Sequence, residues 1–224
     1  MIKDILVFLK ELQANNNREW FQANKKRYDA LKKEHTEIVQ QLINKISLFD
    51  PDIAGLEAKD CLFRIYRDIR FSPDKRPYKN HIGAYICKGG KNSLRSGYYF
   101  HLEPDNSIIS GGLWMPEPKL LKQVRQDIYN QMDEFVEILE EPSFKADFPE
   151  LEGETLKRNP AGYPTDFPHQ EIIRHKDFCV SSVRPNSFFE KKDWMDQTVE
   201  TFRKLLPFHR FLNYTIDEYV ADNL

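Results

Sequence analysis

Tyr98-Tyr99-Phe100-His101-Leu102-Glu103-Pro104-Asp105-Asn106-Ser107-Ile108-Ile109-Ser110-Gly111 reads as two short aromatic or β-branched runs separated by three turn-forming residues. The pattern predicts strands over 98–103 and 107–111 joined as a hairpin. A hairpin implies an antiparallel pair, because a parallel pair needs a crossover of a dozen residues or more. Upstream, residues 62–66 and 82–87 have the same character, which extends the expected sheet over 60–113.

On either side of this sheet the apolar period lengthens. Ile2, Ile5, Leu6, Leu9 and Leu12 recur at helical spacing and predict a helix over 2–14. Asn16 with Glu19 resembles a capping box. From there Phe21, Tyr28, Leu31, Ile38, Leu42, Ile46 and Phe49 predict one long second helix ending near 48, where Asp50-Pro51 stops it. Beyond the sheet, helices are expected over 116–132, 132–139, 193–206 and 215–220, and one more strand over 172–181. Residues 141–170 hold five prolines and read as an irregular connection, a candidate lid. The fold class is α+β: an antiparallel sheet core flanked by an N-terminal long-helix pair and C-terminal helices. No repeat or linker divides it, so a single domain over 1–224 is expected, with N-terminal helices at 2–48, the sheet at 60–113, and helices and irregular segment at 116–224.

A chain of 224 residues with 40% hydrophobic and 13% aromatic content can build its core without staples. The three cysteines, Cys61, Cys87 and Cys179, form no C-x-x-C pair, which speaks against a disulfide framework and a zinc knuckle. Asp4 and Lys10 interrupt the N-terminal apolar run, so neither a signal peptide nor a membrane span is predicted and a cytoplasmic setting is expected. The formal net charge is only −2, so nucleic acid is not the favoured partner.

The charge is unevenly spread. From Arg64 to Arg95 nine Lys and Arg face two acids, a balance of +7 that leaves −9 on the remainder. The core of this island is Arg64-Ile-Tyr-Arg-Asp-Ile-Arg-Phe-Ser-Pro-Asp-Lys-Arg-Pro-Tyr78. Guanidinium forks match phosphate and carboxylate oxygens. A turn helped by Pro73 and Pro77 would bring Arg67, Arg70, Lys75 and Tyr78 to one rim, with Asp68 orienting an arginine. The plainer alternative is a structural ion-pair network with Tyr78 as a core ring.

Arg64, Arg67, Asp68, Arg70 and Phe71 fill a pattern R-x-x-R-D-x-R-F, and Asp74, Lys75, Pro77 and Tyr78 a pattern D-K-x-P-Y. Together these resemble the signature of a bacterial domain-of-unknown-function family, family 2461. Asn15-Asn16-Asn17-Arg18-Glu19-Trp20-Phe21, the run Gly97 to Pro104, Gly111-Gly112-Leu113-Trp114, and Leu156-Lys157-Arg158 with Gly162-Tyr163 are similar to its recurring segments. The resemblance implies a single domain of this length and carries no activity with it.

Three functional readings follow. The first is a binding protein for a small phosphate- or carboxylate-bearing ligand, held by Arg64, Arg67, Asp68, Arg70, Lys75 and Tyr78, with Lys157 and Arg158 brought over them. The second is an enzyme on such a substrate, with Lys75, Tyr78 or His81 as acid or base. The third is a nucleic-acid or protein interaction module on the same basic face. His101 and Glu103 share a strand face with Tyr99, and with His81 or His169 would make a divalent-ion site, but H-x-E alone is a weak pattern and a satisfied histidine is the plainer reading. No P-loop, nucleophile elbow or dinucleotide fingerprint occurs, so no cofactor is expected. Gly111-Gly112 reads as a tight backbone turn or bulge.

Overall fold

The computed structural model describes residues 2–223. The N-terminal helices are α1 (Ile2–Ala14), α2 (Arg18–Ala23), α3 (Lys25–Ile46) and the single turn α4 (Ala58–Cys61). The strands β1 (Ile82–Ile86), β2 (Gly97–Leu102) and β3 (Ser107–Leu113) follow. Next come α5 (Pro118–Asn130), α6 (Met132–Glu140) and α7 (Pro142–Asp147), then β4 (Phe178–Arg184), α8 (Trp194–Lys204) and α9 (Leu206–Asn223). The sheet is antiparallel with order β1-β2-β3-β4, so the α+β class and the flanking helices are as the sequence implies. No helix among the described residues is long and apolar enough to cross a membrane.

Chain contacts divide the molecule into two compact units. The first comprises residues 1–92, 99–109 and 183–200, and the second 93–98, 110–182 and 201–224. In the first, α1 packs on α3, and Ile5, Leu9 and Leu12 are buried along with Ile38, Leu42 and Ile46, the stripes that the helical period predicts. In the second, the Phe135 ring lies 4.9 Å from Phe211, 5.8 Å from Phe208 and 6.1 Å from Phe178. Each such ring, once buried, stabilises by about 2 to 3 kcal/mol.

Five local expectations are corrected. The long second helix is broken at Asn24, whose side-chain amide donates to the Trp20 carbonyl at 2.9 Å. This local side-chain bond ends α2 before α3 begins. The cap of α2 is Asn17, which accepts from the Trp20 amide at 2.9 Å, rather than Asn16. Residues 62–66 form no strand but two isolated bridges, Leu62 to Ala84 and Tyr66 to Tyr78. Residues 172–174 make a 3-10 turn, and the strand there starts at Phe178 and runs on to Arg184. The proline-rich segment contains α7, with Glu141 accepting from the Phe144 amide at 2.7 Å. Elsewhere it is tied down by bridges from Glu152 to Cys179 and Thr155 to His175.

Gly111 and Gly112 lie in β3. A Cβ on Gly111 would meet Leu205 Cδ1 at 2.7 Å, and Gly112, at φ +132°, faces the Phe178 carbonyl and the Cys179 Cα. A close backbone approach explains Gly112, and the packed side chains of Leu205 and His209 explain Gly111.

Candidate functional site

The basic segment and the residues after it run antiparallel. Arg67 N donates to Pro77 O at 3.0 Å, Lys79 N to Ile65 O at 2.8 Å, and Phe63 N to Gly83 O at 3.0 Å. Between the bridges at its ends, four steps from Leu62 to Tyr66 answer six from Tyr78 to Ala84. The second segment therefore carries two surplus residues, and regular pairing fails there. Asn80 and His81 fall in that irregular stretch.

Tyr78, expected as an acid, base or ligand group, is a core residue: it is 2% exposed and stacks on Phe21 at 4.0 Å with planes 18° apart. Its backbone is gripped by Asn16, whose Oδ1 accepts from Tyr78 N at 3.1 Å and whose Nδ2 donates to Tyr78 O at 3.0 Å.

The arginines expected to share a rim are paired within their own loop instead. Arg67 donates to Asp74 at 2.6 Å and to the Arg76 carbonyl at 3.1 Å. Arg76 donates to the same carboxylate at 2.8 Å, and Arg70 to Asp68 at 2.6 Å. The Arg70 hydrogen bonds hold the Asp68 carboxyl down at about 2, and those of Arg76, then Arg67, hold Asp74 well below the usual carboxylate range. Lys75 Nζ donates to the Ile69 carbonyl at 3.1 Å. Proximity in sequence decides this: each aspartate reaches an arginine two residues on, also accepting from its backbone amide, a local turn motif. Lys157 and Arg158 are exposed in the irregular stretch of the second unit.

Arg64 differs from its neighbours. It is exposed, and no hydrogen bond or ion pair of its guanidinium occurs among the described residues. It lines a cavity of about 160 Å³ in the first unit. Apolar walls come from Ile5, Phe8, Leu9 and Leu31, and Lys32 and Arg64 bring cationic groups, while Lys25 is paired with Asp29, which also lines the cavity. Tyr28 and Tyr66 add phenols, and burial pushes the Tyr28 hydroxyl up to about 12, so it stays a donor. His35, also lining the cavity, is buried with an Nε2 that has no hydrogen-bond partner, and burial lowers its pKa to about 4. An orphaned polar atom beside an apolar cavity is the kind of group that a ligand satisfies. The sequence carried this signal: Lys25, Tyr28, Lys32 and His35 are spaced three, four and three apart, one polar stripe of α3.

A second cluster sits on the sheet. Tyr99, His101 and Glu103 alternate, so all three share a face. The Tyr99 hydroxyl lies 2.9 Å from His101 Nδ1, and His101 Nε2 lies 3.2 Å from Glu103 Oε2. The carboxylate accepts only, so Nε2 carries the hydrogen and Nδ1 accepts from the phenol. Asn106 Nδ2 also donates to Glu103 Oε2 at 3.2 Å. The His81 ring stacks on His101 with centroids 4.2 Å apart. Burial, then the neighbouring His101 and Lys79, lowers His81 to about 4, and burial, then Lys79, does the same to His101. Both imidazoles are neutral at pH 7. Lys79 Nζ lies over the Phe63 ring at 5.4 Å.

A family model, described as "Conserved hypothetical protein (DUF2461)", matches residues 4–211 of the chain. No curated protein and no solved structure matches it.

Proposed function

We propose, for a chain that belongs to this family of conserved hypothetical proteins, that it binds a small carboxylate- or phosphate-bearing ligand in the cavity lined by Arg64. The observation that carries this reading is the unpaired Arg64 guanidinium at a cavity of about 160 Å³ whose buried His35 Nε2 lacks a partner. A dry cavity of about 150 Å³ accommodates a benzene-sized body, so the ligand is a compact anion with an apolar part of about six carbons. Lys32 and Arg64 would take its charge, the Tyr28 hydroxyl and His35 its remaining polar atoms, and the Phe8 and Leu31 walls its hydrocarbon.

The pairing of charge in this region narrows the alternatives. Arg67, Arg70 and Arg76 already spend their donors on Asp68 and Asp74, which leaves a polyanion no row of free guanidinium groups. Thermal unfolding against benzoate, hexanoate, phenyl phosphate and inorganic phosphate tests the reading. At one hundred times its Kd a ligand stabilises by about 2.7 kcal/mol. Arg64→Ala should remove the shift and Arg67→Ala should keep it. No shift with any of the four, or loss on Arg67→Ala alone, overturns the proposal.

A further inference from the structure

We infer that His81, His101 and Glu103 form a binding site for a divalent transition-metal ion of the Zn2+ or Co2+ type. One ligand atom from each lies within 4.8 Å of the others. The inference does not rest on the Arg64 cavity, which none of the three residues lines.

Three features make this more than a chance meeting of side chains. His101 Nε2 and Glu103 Oε2, 3.2 Å apart, already have the separation of two donors on one ion at about 2.0 to 2.2 Å. Their positions on one strand face fix them on a rigid element, and His81 has only the remaining gap to close. His101 also has an outer partner, the Tyr99 hydroxyl on Nδ1 at 2.9 Å, the arrangement that orients a ligating imidazole. Tyr99 is itself held close: a Cβ on Gly83 would meet its hydroxyl at 2.9 Å.

Loading has a definite proton balance. The hydrogen on His101 Nε2 leaves as the ion arrives, and Nδ1 takes one from solvent, so the ring stays neutral. The Tyr99 hydroxyl turns from donor to acceptor. Two imidazoles and one carboxylate favour a borderline ion over Mg2+ or Ca2+, which take oxygen ligands. Three protein donors leave at least one position for water. The charge that opposes the ion is Lys79, close enough to act on both imidazoles.

Titration of the whole chain with Co2+, followed by visible ligand-field absorption, with Zn2+ competition and Zn2+-dependent melting, tests the site. One equivalent of Co2+ should bind, displaced by Zn2+, and Zn2+ should raise the melting temperature. His81→Gln and Glu103→Gln should each abolish the absorption while keeping the far-ultraviolet spectrum. Tyr99→Phe, a positioning change, should weaken binding about 10- to 100-fold, and Lys79→Met should tighten it. The inference fails if the wild-type chain gives no ligand-field band at equimolar Co2+. It fails equally if the band survives both Gln variants, or if a thiolate charge-transfer band puts the ion on a cysteine.

Discussion

Asn16 makes two hydrogen bonds to the backbone of Tyr78, one through each end of its carboxamide. The side chain thus acts as one rung of a strand, joining the end of α1 to the segment that opens the irregular stretch. Asn16→Ala leaves a part-buried N–H and C=O unpaired, and should cost about 2 kcal/mol at about 1 per bond. Asn15→Ala, which loses one exposed bond to Glu11, should cost under about 1. Urea unfolding of the pair decides it, and equal losses would count against the assignment.

Buried histidines set the acid limit. In the unfolded chain an imidazole protonates near 6.5, but in the fold burial holds His35 to about 4 and His209 to about 3. Between those values the unfolded state binds more protons, so stability is intact above pH 6.5 and falls as pH drops toward 4. Unfolding free energies at pH 7, 5.5 and 4.5 should show this. His35→Leu should flatten the slope by up to about 1.4 kcal/mol per pH unit; an unchanged slope would refute the role of His35.

Two glycines with positive φ should lose stability to alanine by different amounts. Gly112→Ala drives a methyl into the backbone at Phe178 and should cost about 3 to 5 kcal/mol, from strain and overpacking together. Gly55, at φ +79° with nothing within 4 Å, pays only the conformational part, about 1 to 2 kcal/mol. Melting temperatures of the two variants give the comparison.

The thiols should be inert in the folded protein. Burial, then Cys87, pushes Cys61 up to about 12, and burial, then Asp177, pushes Cys179 higher still. Because the thiolate is the reactive form, iodoacetamide at pH 8 should alkylate Cys61 at least about 100-fold more slowly in buffer than in denaturant. Equal rates would show that the site opens freely.

The hairpin around Pro104-Asp105-Asn106 and the Ile5-Leu9-Leu12 stripe were legible because each obeys a local period that the fold reuses. Asn24 was not, since a single side-chain bond to Trp20 interrupts an unbroken apolar stripe. The arginine cluster was found by composition, and Asp68 as the partner of an arginine, but the expected common rim did not follow, because Asp68 and Asp74 each reach an arginine two residues on and the plainer ion-pair network takes its place. His101 and Glu103 were legible as a same-face pair. That His81 joins them depends on a pairing irregularity between distant segments, which no local pattern encodes.

That irregularity makes the placement of His81 a matter of chain length. Deleting one residue between Tyr78 and Ala84 would shift everything on one side of the gap by a single step and turn His81 toward the opposite side of the backbone. Exchanging the identity of Asn80 would leave the count untouched. Among relatives of this chain, the spacing from Tyr78 to Ala84 should therefore be kept more strictly than the residues that fill it.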